Sequence, residues 1–193
     1  MVITRGVLEL ITANDIKDGV LTVPDKVKII GKDAGSSLKE LKKIVLSNST
    51  TKIDDYAFYD CTNLEEIQFA NNLQSIGESC FECCSSIKTL NLPSSLKVIG
   101  KSAFYDCKNL EKINFEEGLE RIQGNAFERC RKITSLELPE SLKVVEENAF
   151  KNCSGIVSVC ANIKTKFDKD EFKCCRLKKY NLQSNFNLEN KII

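Results

Sequence analysis

Apolar residues recur along this chain at one fixed interval. Phe58, Phe81, Phe104, Phe127 and Phe150 are each followed three residues later by a cysteine: Cys61, Cys84, Cys107, Cys130 and Cys153. Successive pairs stand 23 residues apart. Three residues after each cysteine comes an aliphatic (Leu64, Ile87, Leu110, Ile133, Ile156), and three further on another (Ile67, Leu90, Ile113, Leu136, Val159). Two further is a third, Phe69, Leu92, Phe115 and Leu138, with Ala161 a weak fifth. Leu73, Leu96, Leu119 and Leu142 follow, then Ile76, Ile99, Ile122 and Val145. A small residue precedes every phenylalanine of the series: Ala57, Cys80, Ala103, Ala126, Ala149. A period of this length predicts a solenoid, in which each repeat buries its apolar face only against its neighbours.

Within the repeat the I-x-L step has period two, so it predicts a short strand with alternate residues facing inward. Stacking such strands in parallel gives each backbone group a partner in the next coil. Pro93 and Pro139 directly follow the inward strand residue. Proline cannot donate to a ladder, which places them where a strand ends and the chain turns.

Backwards along the chain, Leu38, Leu41, Ile44, Leu46 and Ile53 fill the same slots one coil earlier, and Leu21, Val23, Val27 and Ile30 half a coil before that. Gly35 stands in the phenylalanine slot there and Leu38 in the cysteine slot, so this entry coil is irregular. At the other end Phe172–Cys175 keeps the Phe–Cys spacing, whereas Leu177, Tyr180 and Leu182 keep the strand spacing relative to Cys174, so one residue is missing. Atypical end coils are expected because they cover an otherwise open core. The chain of 193 residues therefore reads as one domain over 1–193. Residues 1–37 form a cap and irregular first coil, 38–163 the regular repeats, and 164–193 a degenerate last repeat and cap.

Composition removes several classes of function. There is no histidine, which excludes Ser–His–Asp and Cys–His nucleophilic sites, histidine general bases and mixed Cys/His zinc sites. Neither a G-x-G-x-x-G nor a P-loop occurs. The 28 basic and 27 acidic residues are well mixed and leave a net charge of +1, which argues against nucleic acid or a membrane surface as partner. The locally basic segment 164–179 carries Asp168, Asp170 and Glu171 among its lysines and reads as a solvated end face. No run of 18 apolar residues exists, so no membrane span is expected. The apolar patch from Val7 to Ala13 is broken by Glu9 and lacks a signal-peptide core. This favours a cytosolic start for the chain.

Ten cysteines would suggest disulfides in a small secreted domain. Here the repeat accounts for most of them. Cys61, Cys84, Cys107, Cys130 and Cys153 share one slot that wants a small apolar side chain, and free cysteine behaves as one. Coils in sheet register lie ~4.8 Å apart, but side chains of such a column point the same way, which disfavours bridging. In the C-x-x-C of Cys80 and Cys83, Cys80 fills the small-residue slot and only Cys83 is surplus. Cys174 and Cys175 repeat a doublet about four coils, or ~19 Å, away, so no shared metal site is expected. Of the two sequons, Asn152–Cys153–Ser154 has a buried cysteine at its centre; Asn48–Ser49–Thr50 matters only in a secreted chain. No metal or cofactor is expected.

What remains for function is surface. One column of outward strand residues is Val45, Gln68, Asn91, Asn114, Glu137 and Cys160. The other is Lys43, Glu66, Thr89, Lys112, Ser135 and Ser158. Both are polar and hold neither tyrosine nor tryptophan, the residues that favour hot spots together with arginine. Two readings stand side by side: a face for polar recognition, or an amide stack of Gln68, Asn91 and Asn114 on a solvated sheet. Tyr59 and Tyr105 share a slot elsewhere on the coil, with Glu82 in the intervening coil, and offer an alternative patch. Cys160 is expected to face outward and to be the most reactive thiol.

The repeat resembles the BspA-like leucine-rich repeats, whose coil reads roughly I-G-x-x-A-F-x-x-C-x-x-L-x-x-I-x-I-P. The match runs from Ile76–Gly77 through Cys84 and from Ile99–Gly100 through Cys107, Leu110 and Ile113, and spans about residues 20–182. Asp54, Gln123 and Glu146 depart from it in the glycine slot. The resemblance implies an α/β-type leucine-rich-repeat solenoid: a curved right-handed stack of about six to seven coils. A parallel sheet would line its concave face, with short turns, 3-10 or β segments on the convex face. It implies a non-enzymatic binder of a protein ligand, in the setting of microbial surface adhesion or host recognition, and so a secreted or surface location. A self-assembling surface component, associating through open ends near Phe186, Leu188, Ile192 and Ile193, is the alternative. A cysteine-based redox protein is the third. Either a monomer or weak self-association fits.

Overall fold

Each I-x-L step is a short strand with its middle residue buried. The computed structural model describes residues 1–168, 172, 175, 177–183 and 189–191. Strands Lys43–Val45, Glu66–Gln68, Thr89–Asn91, Lys112–Asn114 and Ser135–Glu137 bury Ile44, Ile67, Leu90, Ile113 and Leu136, and turn the flanking residues outward. Val20–Thr22 precedes them, and Ser158–Asn162 and Lys179–Gln183 follow. Together they form one side of the molecule, the long-strand face. The slots Leu73/Ile76 and their equivalents build a second ladder of two-residue strands. It runs from Ile29–Ile30 through Lys52–Ile53, Ser75–Ile76, Val98–Ile99, Arg121–Ile122 and Val144–Val145 to Lys166–Phe167, all parallel. The N-terminal antiparallel pair Val2–Thr4 and Val7–Leu10 docks on its first strand. The result is a β-solenoid of about seven turns.

The α part of the expected class does not appear. Among the described residues the only helical element is the 3-10 turn Ala13–Asp15. The reason lies at the corners between the two ladders. Asp60, Cys83, Asp106, Arg129 and Asn152 share one slot and have φ of 54–66°. Tyr56, Ser79, Ser102, Asn125 and Asn148 share another, with φ of 49–60°. A left-handed residue cannot continue a right-handed helix, and Asp and Asn bear that conformation better than most. Between these corners a third set of bonds runs from coil to coil. The amides of Tyr56, Phe58 and Asp60 donate to Glu78, Cys80 and Glu82, and those of Ser79, Phe81 and Cys83 to Lys101, Ala103 and Tyr105. The pattern repeats with the coil.

Inside, the phenylalanine slot becomes a column of stacked rings. Phe58, Phe81, Phe104, Phe127 and Phe150 follow one another at 5.2–5.5 Å between centroids and within 10° of parallel. Phe172 continues the column at 6.0 Å. The paired cysteines are buried beside them, and each thiol donates to a carbonyl of the preceding coil. Cys84 reaches Phe58, Cys107 reaches Phe81, Cys130 reaches Phe104 and Cys153 reaches Phe127, at 3.0–3.3 Å. In the entry coil Gly35 takes the phenylalanine slot. A Cβ there would come within 3.1 Å of both Ile11 and Phe58, so neighbouring side chains already occupy the space. Gly100 backs onto Gly77, where a Cβ would stand 2.5 Å from a backbone carbon. All three prolines, Pro24, Pro93 and Pro139, stand in the slot that opens the turn after the long strand, and their carbonyls accept from Val27, Leu96 and Leu142.

The C-terminal shortening is distributed. Lys166–Phe167 follows Val144–Val145 after 22 residues, and Ser158 pairs with Lys179 after 21. One residue is thus lost before the last short strand and another before the last long one. Phe186, Leu188, Ile192 and Ile193 lie outside the described residues.

A stack of this kind is as strong as its inter-coil contacts. Phe104→Ala, which opens a hole between Phe81 and Phe127, should cost ~3–5 kcal/mol in urea unfolding. Exposed Glu111→Ala should change stability by no more than ~0.5 kcal/mol.

Candidate interaction surface

The outward residues of the long strands stand where the period predicts. Glu66, Gln68, Thr89, Asn91, Lys112, Ser135 and Glu137 are exposed; Lys43, Val45, Asn114, Ser158 and Cys160 are half-buried. They do not form a uniform amide stack. The Asn114 amide donates to the Asn91 carbonyl oxygen at 2.6 Å, and Gln68 takes no part. Lys43 pairs with Glu66 at 2.7 Å across neighbouring strands.

The reason Gln68 stands apart is a break in the backbone ladder. Long strands are hydrogen-bonded in three groups. Gaps fall between Glu66–Gln68 and Thr89–Asn91, and again between Lys112–Asn114 and Ser135–Glu137. Both gaps follow a strand whose next residue is phenylalanine. The amides of Leu46, Leu92 and Leu138 donate to Gln68, Asn114 and Cys160 of the next coil at 2.9–3.1 Å; those of Phe69 and Phe115 make no such bond. The Phe69 ring stands edge-on to Phe81 at 6.2 Å, and Phe115 likewise to Phe127. A ring in this slot takes more room than leucine, and the strands separate there. The first gap opens a groove of about 830 Å³, lined among others by Glu66, Gln68, Phe69, Thr89, Asn91 and Asn109. Sequence reasoning found the polar columns but not the groove. The alternation Leu46, Phe69, Leu92, Phe115, Leu138 was the signal for it.

A different chemistry lies at the corners. Tyr59 and Tyr105 are half-buried in the same slot two coils apart, with Glu82 between them. The Tyr105 ring carries the Arg129 guanidinium at 5.4 Å, and the Tyr56 ring, itself 6.0 Å from Tyr59, carries the Lys32 ammonium at 5.8 Å. The Glu82 carboxylate, followed by Cys83 and burial, pushes the Tyr59 hydroxyl up in pKa. For Tyr105 burial comes first, with Glu128, Asp106 and Glu82 acting the same way and Arg129 opposing.

Burial shields the ladder cysteines and Cys80. Burial pushes Cys61 up to about 11 and Cys80, Cys84, Cys107 and Cys130 well above the ordinary thiol value. Cys160 is on the outward side of its strand but is partly covered. It is half-buried, its pKa is raised by burial and by the neighbouring Glu137, and Cys83 is half-buried too. A reactive thiol needs the opposite shift. Cys174 lies outside the described residues. Among the described residues no group of three or more His, Cys, Asp or Glu stands close enough to hold a metal ion. No helix among them is long and apolar enough to cross a membrane.

With the coil geometry in hand, comparison with known proteins places the repeat. The model of the BspA type leucine rich repeat region matches six copies over residues 16–100 and 84–192. The chain belongs to this family. Leucine-rich-repeat membership implies a protein-interaction scaffold, and such proteins are typically non-enzymatic. The fold is similar to a leucine-rich repeat protein of T. pallidum, at 25% identity and a TM-score of 0.76, covering 82% of this chain and 78% of that one. It is also similar to one from Eubacterium ventriosum, at 28% identity and 0.81, covering 91% and 48%. The pneumococcal vaccine antigen PcpA shares the fold at 22% identity and 0.69, covering 94% and 46%. The chain thus spans about half the length of the latter two. No curated protein matches it.

The thiol environments predict a sharp division in native alkylation. At neutral pH iodoacetamide should modify Cys83 and Cys160 slowly, more slowly than free cysteine, with rates that climb as pH rises. Cys61, Cys80, Cys84, Cys107, Cys130 and Cys153 should react only after unfolding. Peptide mass spectrometry reads both.

Proposed function

We propose that the chain is a non-enzymatic recognition module that docks a protein partner on its long-strand face, with the groove beside Gln68 and Asn91 as anchor. The groove is the observation that carries this reading. It interrupts an otherwise regular surface and gathers amide, hydroxyl and carboxylate groups around the edge of Phe69. Every strand that presents those groups is packed against coils on both sides. The surface is therefore preorganised, and little ordering cost is incurred on binding. The family resemblance supports this face as the concave side of a curved, right-handed stack, a shape suited to surrounding a protein segment. It also supports microbial surface adhesion or host recognition as the setting. In this account Cys61, Cys84, Cys107, Cys130 and Cys153 form a structural cysteine ladder with no part in chemistry.

Lysine substitutions test the reading without disturbing the core, because positions 68, 91 and 114 point outward. A photo-crosslinking residue at Thr89 should capture a discrete partner from the source cells or their host. The triple variant Gln68→Lys, Asn91→Lys, Asn114→Lys should lose that adduct while keeping the wild-type circular dichroism spectrum and melting curve. A partner retained by the folded triple variant, or captured equally from Arg121 on the short-strand side, would place the site elsewhere.

A further inference from the structure

The corner column Tyr59–Glu82–Tyr105 presents two aromatic rings and a carboxylate, and among the described residues no cation lies over Tyr59 or pairs with Glu82. The two rings occupy one slot two coils apart. Coil-to-coil steps in the ring column inside are 5.5 and 5.4 Å, so the slots of Tyr59 and Tyr105 are separated by about twice that step. Glu82 lies one coil from each ring, and an ammonium or guanidinium is attracted to an aromatic face over ~6 Å. Glu82 stands between the rings, half-buried, and its carboxylate has no hydrogen-bond or ion-pair partner among the described residues. Asp60 next to Tyr59 is already neutralised by Lys39 at 2.7 Å. Asp106, beside Tyr105, adds to the negative field around Cys83, as Glu82 and Asp60 do.

The chain shows the completed version of the same motif one step along. Arg129 occupies the left-handed corner slot in the coil after Tyr105 and lays its guanidinium over that ring at 5.4 Å. The equivalent position in the coil after Tyr59 is Cys83, in the same left-handed conformation, with a side chain too short and without the positive charge to do this. Among the described residues Tyr59 therefore lacks the cation that Tyr105 has, and Glu82 lacks a counterion.

We infer that the Tyr59–Glu82–Tyr105 corner takes up an arginine or lysine side chain from an exposed basic segment of a partner protein. The guest cation lies above Cys83, between the two tyrosine rings, and neutralises Glu82. This site is separate from the groove on the long-strand face and does not depend on it.

The experiment is a titration of the full chain with acetyl-arginine amide, followed by NMR of specifically labelled tyrosine rings. Acetyl-citrulline amide serves as the neutral control of the same shape. Saturable shifts at Tyr59 and Tyr105 are expected with arginine and not with citrulline, weakening as salt is raised. Glu82→Gln and Tyr59→Leu should each weaken binding about three- to fivefold. The decisive variant is Cys83→Arg, which copies the Arg129 arrangement and supplies the cation from within. It keeps both rings and the carboxylate, and Arg129 shows that the corner accepts arginine. Cys83→Arg should abolish the arginine response while the protein keeps its melting temperature. Equal shifts with citrulline, an unaltered response in Glu82→Gln, or undiminished binding to a folded Cys83→Arg would each overturn the assignment. So would the absence of any saturable shift in the wild type.

Discussion

No coil of this molecule has anything to bury its apolar side chains against except the same side chains one coil away. That dependence on the neighbour sets everything else. It fixes the 23-residue period, because a slot that drifts loses its partner above and below. It makes the phenylalanine slot a stack of nearly parallel rings with centroids 5.2–5.5 Å apart from Phe58 to Phe150. It also explains why cysteine suits the neighbouring slot. The site is fully buried and small, and it faces a carbonyl of the preceding coil that a weak thiol donor can reach. Leucine would overfill it, and serine would bring a stronger demand for a partner.

The same constraint divides the surface by chemistry. Where leucine follows the long strand, the backbone ladder closes and the outward face is continuous. Where Phe69 or Phe115 follows it, the ring packs against the core column and the strands part. An interior choice of side chain thus shapes the exterior groove. At the corners the left-handed residues hold successive coils in register through backbone bonds, and this aligns Tyr59, Glu82 and Tyr105 in one row. Both candidate sites follow from interior packing repeated at a fixed step.

Period and slot chemistry made the core legible from sequence almost residue by residue, because burial in a solenoid is a direct function of position in the coil. The outward columns of the long strands were legible for the same reason. What escaped depended on size or conformation. The alternation of leucine and phenylalanine after the long strand was visible, but its effect on the ladder is a matter of volume, which an apolar/polar pattern does not register. The left-handed corners were signalled by Asp60, Asp106, Asn125, Asn148 and Asn152, yet masked by Tyr56, Cys83 and Arg129, which seldom adopt that conformation. The helical part of the expected class was excluded by those same corners. For Cys160 the strand position says which way it points and nothing of how closely its neighbours cover it.

Rigidity conferred by neighbouring coils is the central claim, since both surfaces act only if their side chains are held in place before a partner arrives. Native-state hydrogen exchange measures it directly. The amides of Phe81, Phe104 and Phe127, each bonded to the following coil, should exchange last and together. Protection should fall away in steps toward the first coil. If these corner amides exchange as fast as those of exposed turns, the coils do not support one another as described, and the preorganised surface does not exist.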